Sequence, residues 1–338
     1  MKNKIIIILV VALVGAAVYL WLKPNEDAAF REEMRDFGVK NIDAIDEIII
    51  SEKGHDSIVL TKQGESWKVN GKFMARPDLI TTLLSTINKV KVKNRIPKEG
   101  IKQLTSLLAV HHKTVQIYAN DELIKSYWVG GKTMDSRGTY MLMHNEDGAT
   151  SNVPFVTHIE GFEGYLTERY VSQEDLWRDV RLFYFPEMGI STIMVDYPEN
   201  KAQSFKIQID EKNIELFPLN SDIAAPKVNM AALKTYLLNF KEVAAESFIT
   251  KNNITKRDSL LKTSPLFVIT VIDNKNNKNV IKCYRRKTLP GEVNYLGQHT
   301  EYDVDRLFGI TASDKELCIL QYYIFDRLTK NLSDFTNF

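Results

Sequence analysis

The sequence predicts an α+β fold: an N-terminal transmembrane helix followed by two tandem repeats, each an antiparallel sheet with helices on one face. Three observations carry this expectation. An uncharged apolar run from Ile5 to Leu22 opens the chain. After it, strand-like alternation and amphipathic helical patterns follow one another without the strand–helix–strand rhythm of a parallel sheet. Finally, "DEIIISEKGHDSIVLTKQGESWKVNG" leading into "RPDLITTLLSTINKVKVKNRI" recurs in outline as "STIMVDYPENKAQSFKIQIDEKNIELF" leading into "PKVNMAALKTYLLNFKEVAAESFI".

The apolar run is flanked by Lys2 and Lys4 on one side and Lys23 and Pro24 on the other. As a helix it would span roughly 27 Å, close to the thickness of a bilayer core. It is longer than the apolar core of a secretory signal, roughly 7–15 residues. A retained anchor over 1–23, with a short cytoplasmic N-terminus, is therefore expected, followed by a linker over 24–44. The two cysteines, Cys283 and Cys318, lie far from this run, so a lipid-modified cysteine is not expected there.

The first repeat is expected over 45–160. Asn70-Gly71 reads as a tight hairpin turn, because both central residues of that turn need positive φ. Leu79, Leu83, Leu84 and Ile87 recur at helical spacing after Pro77, a residue tolerated in the first turn. "KVKVKNR" then alternates lysine with valine, the pattern of an edge strand that shows charge to discourage pairing with other chains.

An interdomain segment is expected over 161–189, with Ser172 and Asp175 capping a short helix that carries Leu176 and Trp177. The second repeat is expected over 190–338. Phe205, Ile207 and Ile209 alternate with polar residues as in a half-buried strand. Ser313 and Glu316 form a capping-box pattern ahead of "LCILQYYIFDRL", read as a buried final helix. Between the repeats, Ile96, Ile101, Leu107, Leu108 and Val115 stand opposite Ile249, Ile254, Leu260, Leu261 and Val268 at one constant offset. Cys283 and Cys318 are expected to be small buried hydrophobes, with a disulfide as the alternative.

The run "IDEIII…IVLTK…WKVNGKFMARPDLITTLLSTI", the stretch "YWVGGKTMDSRGTYMLM" and "GFEGYLTERY…LWRD" resemble the stand-alone Bacteroidetes members of a domain-of-unknown-function family. Relatives of that domain are fused inside auxiliary subunits of gliding-motility-associated ABC transporters. The resemblance implies an envelope protein with a membrane-proximal anchor and tandem α+β domains. It supplies no catalytic residues.

Few motifs carry chemistry. With 44 basic and 43 acidic side chains and a net charge of +1, nothing electrostatic points to nucleic acid. Gly130-Gly131-Lys132-Thr133 ends like a phosphate-binding loop, but Ser126 stands where that pattern needs glycine and a strand follows, so a hairpin turn is expected. The histidines match no zinc-site spacing, and G-x-S-x-G, H-E-x-x-H and C-x-x-C are lacking. Catalytic residues, cofactors and metals are accordingly not expected.

Two surfaces are candidates for binding. In the central segment, Tyr165, Tyr170 and Trp177 offer rigid aromatic area and Arg169, Arg178 and Asp179 offer charge, the composition of interface hot spots; the competing reading is an interdomain joint. Lys89, Lys91, Lys93 and Arg95 form a basic stripe for an anionic partner, against the plain edge-strand reading. The expected function is that of a non-enzymatic single-pass protein of a bacterial inner membrane, with its bulk in the periplasm. It would bind another envelope protein, such as an ABC-transporter, secretion or motility subunit. The alternatives are a ligand-binding module of an ABC-type transporter with its site at the interdomain joint, and a hydrolase without a recognisable motif.

Overall fold

The computed structural model describes residues 34–338 apart from 145–152, 211–212, 221, 223–226, 250–252, 295, 312–315 and 337–338. The expected anchor lies outside the described residues. Within them no helix is long and apolar enough to cross a membrane. The chain divides into two compact units, Met1–Asp179 and Val180–Phe338, so the boundary falls inside the segment expected to join the repeats.

Unit 1 begins with β1 (Ile45–Glu52), β2 (Ile58–Gln63), β3 (Ser66–Val69) and β4 (Phe73–Met74), a meander of antiparallel neighbours. Ile45, Ile48 and Ile50 of β1 are all buried in the core. A register shift between Ile45 and Glu47 allows this, since an extra residue lets side chains three apart share a face. Asn70 and Gly71 have φ of 50° and 65°, as the turn requires, and Asn70 Oδ1 accepts the Val59 N–H at 2.8 Å.

Helix α1 (Pro77–Lys89) starts with proline in its first turn and buries Ile80, Leu83, Thr86 and Ile87. Leu79 and Leu84 are only partly buried, although they too pack on the core. Next come β5 (Val90–Arg95), α2 (Lys98–Val110), β6 (Lys113–Ala119), β7 (Glu122–Lys132), β8 (Thr139–Met143) and β9 (Phe155–Ile159). The nine strands order as β4-β3-β2-β1-β6-β7-β8-β9-β5, which places β5 at an edge as its lysines predict. Gly130-Gly131-Lys132 ends β7, and the Thr133 N–H bonds the Gly138 carbonyl at 2.9 Å, a hairpin connection rather than a phosphate loop.

Residues 161–179 close unit 1. Leu166, Tyr170 and Trp177 belong to its core. The short helix α3 (Glu174–Trp177) has Gln173 at its N-cap with no side-chain hydrogen bond, so Ser172 does not cap it. Ser172 Oγ instead donates to Glu52.

Unit 2 contains β10 (Arg181–Tyr184), β11 (Ile190–Asp196), β12 (Phe205–Ile209), β13 (Ile214–Pro218), α4 (Met230–Leu237), β14 (Glu242–Ala244), β15 (Ser247–Ile249) and α5 (Asn253–Leu261). It finishes with β16 (Phe267–Asp273), β17 (Lys278–Lys287), β18 (Tyr302–Thr311), β19 (Leu317–Gln321) and α6 (Tyr322–Phe325). Strands β10 and β14 pair separately, while the main sheet runs β13-β12-β11-β16-β17-β18-β19-β15. This is the strand order of unit 1 without a counterpart of β4. The likeness extends to detail: β11 buries Ile190, Ile193 and Val195, with its register shift between Ile190 and Thr192.

Three expectations are corrected. The helices do not share one face: α4 packs on the core formed by Ile281, Cys283 and Leu307, whereas Leu260 and Leu261 of α5 pack on Tyr284, Phe308 and Ile310. Strand side chains alternate, so these are opposite sides of the sheet.

The run "LCILQYYIFDRL" is not one helix but β19 followed by the single turn α6. Cys318 and Leu320 face one core and Leu317 and Ile319 the other, and a strand covered on both faces reads as a continuous apolar run. Ser313 of the expected capping box lies outside the described residues.

The constant offset also slips in the strands. Ile50 pairs with Val115 and its counterpart Val195 pairs with Ile269, so Val115 corresponds to Ile269 and not to Val268. A shift of one residue turns a strand position to the other face. By the same register Cys283 occupies the place of Val129, Gly309 that of Met141 and Cys318 that of Phe155. Cys283 and Cys318 are thiols rather than a disulfide and are fully buried, filling positions that unit 1 gives to apolar side chains.

Candidate functional site

The central aromatic cluster is a core feature. Tyr170 and Trp177 are 0% exposed and Arg178 is 8% exposed. The indole N–H of Trp177 donates to the Val171 carbonyl at 2.9 Å, and the Tyr170 and Tyr127 hydroxyls meet at 3.2 Å. Burial pushes both phenols well above their ordinary range. The Arg178 guanidinium lies 4.2 Å from the Phe73 ring centre, and the Asp179 N–H bonds the Met74 carbonyl at 2.8 Å.

Arg169 stacks on Phe162 at 4.2 Å and donates to Thr86 Oγ1 at 3.2 Å. Tyr165, half-buried, carries the Lys132 ammonium 5.5 Å from its ring centre. Residues chosen as an aromatic binding surface thus serve mainly to close unit 1. A partner cannot reach Tyr170 or Trp177 without opening that core.

The basic stripe is exposed at Lys89, Lys91, Lys93 and Arg95. Lys91 pairs with Glu160 at 3.3 Å and Lys93 donates to the Arg137 carbonyl at 3.2 Å. Both contacts tie the edge strand to its surroundings.

Two of the six histidines meet on one ring. His112 stacks on Trp128 with ring centres 4.1 Å apart, and His144 stacks on Trp128 at 5.4 Å. His112 Nδ1 bonds the Leu108 carbonyl at 2.6 Å, which assigns its proton to that nitrogen. Burial lowers the His112 pKa, the Leu108 bond partly opposes this, and charge on His144 lowers it further. Among the described residues no group of three or more His, Cys, Asp or Glu side chains is placed to hold a metal.

Each unit has a cleft where the helix after its edge strand ends above the sheet. In unit 1 it encloses about 220 Å³, between His111, His112 and Lys113 on one side and Gly130 and Gly131 on the other. In unit 2 it encloses about 450 Å³ and has a different chemistry. Lys256, Arg285 and Lys287 line it, with Glu199 as its only acid among the described residues, and Tyr284, Tyr302 and Phe308 supply aromatic wall. The Lys256 ammonium sits 4.9 Å from the Phe308 ring centre and the Arg285 guanidinium 5.4 Å from that of Tyr302. Such contacts hold cations in place while leaving their outer side available to an anion.

The neighbouring Arg286 is committed elsewhere. It makes paired bonds to Glu292 at 2.8 and 3.1 Å and a further one to Asp303. Hydrogen bonding to Arg286, together with the Leu289 N–H, lowers the Glu292 pKa. This arrangement braces residues 288–292 at the start of the link from β17 to β18, a link much longer than its counterpart over 133–138 in unit 1.

The unit 2 cleft was not among the sequence-derived candidates. Its signal was present in the basic cluster Arg285, Arg286 and Lys287, where a register shift of β17 accompanies the split between Arg286, which goes to the carboxylates, and its two neighbours, which line the cleft. No family model matches the sequence, and no curated protein matches it.

Proposed function

We propose that this chain is a non-enzymatic, inner-membrane-anchored protein of a bacterial envelope. Its two α+β units, products of a tandem duplication, project into the periplasm and bind another protein of a transport, secretion or motility assembly. The observation that carries the duplication is the shared strand order, repeated down to the register shift in the first strand of each unit. The anchor is supported by the uncharged run from Ile5 to Leu22. A binding role is supported by the unit 2 cleft, whose volume is in the range of ligand sites, roughly 300–1,000 Å³, and whose lining is cationic and aromatic.

A ligand-binding role beside an ABC-type transporter is the second reading, favoured by the same cleft, with the site moved from the central segment into unit 2. The test is alkaline carbonate extraction of membranes from the native cells, combined with crosslinking and recovery in mild detergent. Retention in the pellet with co-recovered assembly subunits is expected. Release into the supernatant would remove the anchor, and recovery of the chain alone would remove the protein-binding role.

A further inference from the structure

We propose that the cleft beneath α5 in unit 2 is a docking groove for an acidic, extended segment of the protein partner. This rests on the protein-binding reading above. The argument begins from the comparison between units. In unit 1 the strand position under the helix is Gly130, where a Cβ would come within 2.1 Å of Leu108 Cδ2 and 3.0 Å of the Tyr140 carbonyl. Helix α2 therefore rests directly on bare backbone.

In unit 2 the corresponding residue is Tyr284, buried at 3% exposure and packed against Leu260 and Leu261 of α5. An aromatic ring stands where unit 1 has no side chain, and the cleft is about 450 Å³ instead of 220 Å³. The enlarged copy is also the one that gathers the charge.

Lys256, Arg285 and Lys287 outnumber Glu199 at this cleft. Among the described residues, Arg286 and Arg306 of the same strand and its neighbour are taken up in ion pairs with Glu292, Asp303 and Glu246. Arg285 and Lys287 are exposed, and Lys256 approaches from the helix side. Cations approaching from both sheet and helix suit successive carboxylates along an extended chain. The rings of Tyr302 and Phe308 can pack against its aliphatic stems, and the hydroxyls of Ser259, Thr263 and Ser264 can meet its backbone.

The test uses the full chain in intact native cells, with photoreactive benzoylphenylalanine replacing Ser259 on the exposed face of α5. After irradiation the adducts are mapped by mass spectrometry. The expected adduct is a protein segment rich in Asp and Glu, with its yield reduced about tenfold in R285A/K287A, whose unchanged melting temperature reports an intact fold. An adduct to a neutral or basic segment, an adduct to lipid alone, or a yield unaffected by R285A/K287A would overturn the proposal. A silent position 259 while partner subunits are still recovered by general crosslinking overturns the groove alone. Failure to recover any partner overturns the protein-binding reading itself.

Discussion

Trp177 is 0% exposed and packs with Tyr170, Leu166 and the isoleucines of β1 in one core. W177A should therefore cost unit 1 about 3–5 kcal/mol, the usual range for truncating a buried aromatic side chain, measured by urea denaturation. The loss of a mere surface ring would leave the midpoint nearly unchanged. The residue type alone could not decide between these outcomes. Tryptophan, tyrosine and arginine are enriched both in interface hot spots and at the closing seam of a domain, and only the contacts of Trp177 with Val171 and of Arg178 with Phe73 separate the two. His112 makes a second prediction at this scale. Its lowered pKa means that the unfolded chain takes up the proton first, so its contribution to stability is complete above about pH 6.5 and is lost as pH falls through the folded value. Wild-type protein should lose more melting temperature than H112F between pH 7 and pH 5.5, roughly the range over which imidazole titrates. Equal losses would show that His112 is not the group responsible.

Among the elements, β5 shows how much a local pattern can disclose. Alternating lysine and valine predicted an edge strand, and among the described residues β5 pairs only with β9. Replacing Lys91 and Lys93 by valine should leave the fold intact but promote edge-to-edge association, seen as a concentration-dependent rise in mass by light scattering. A monomer at all concentrations would argue that other features protect this edge. The Asn70-Gly71 hairpin and α1 were equally legible, because turn chemistry and helical spacing are local. The last helix was not. Leu317, Cys318 and Leu320 are buried and Ile319 partly so, across both faces, and an apolar run carries no period by which a strand can be told from a helix. The placement of α2 and α5 opposite α1 and α4 was also hidden, since nothing in a helix's own sequence names the sheet face that receives it.

For the whole molecule, two antiparallel sheets of like strand order agree with the echoes between the halves, although their strand register required the pairing of Ile50 with Val115 and of Val195 with Ile269. The boundary was less legible because the aromatic and charged segment through Asp179 resembles a linker in composition while packing as core. Each unit has its own hydrophobic core, so fragments over 34–179 and 180–338 should each fold alone, with cooperative thermal transitions and dispersed amide spectra. A fragment that stays unfolded would show that its core is incomplete without the other half. The cationic cleft emerged only from three dimensions, because Lys256 is separated by many residues from Arg285 and Lys287 and meets them only when α5 lies over β17. The most direct test of the account is crosslinking in intact native cells, followed by mild-detergent recovery of the full chain from the membrane fraction and quantitative mass spectrometry. Near-stoichiometric transport, secretion or motility subunits are the predicted result; recovery of the chain alone from a controlled preparation would contradict it.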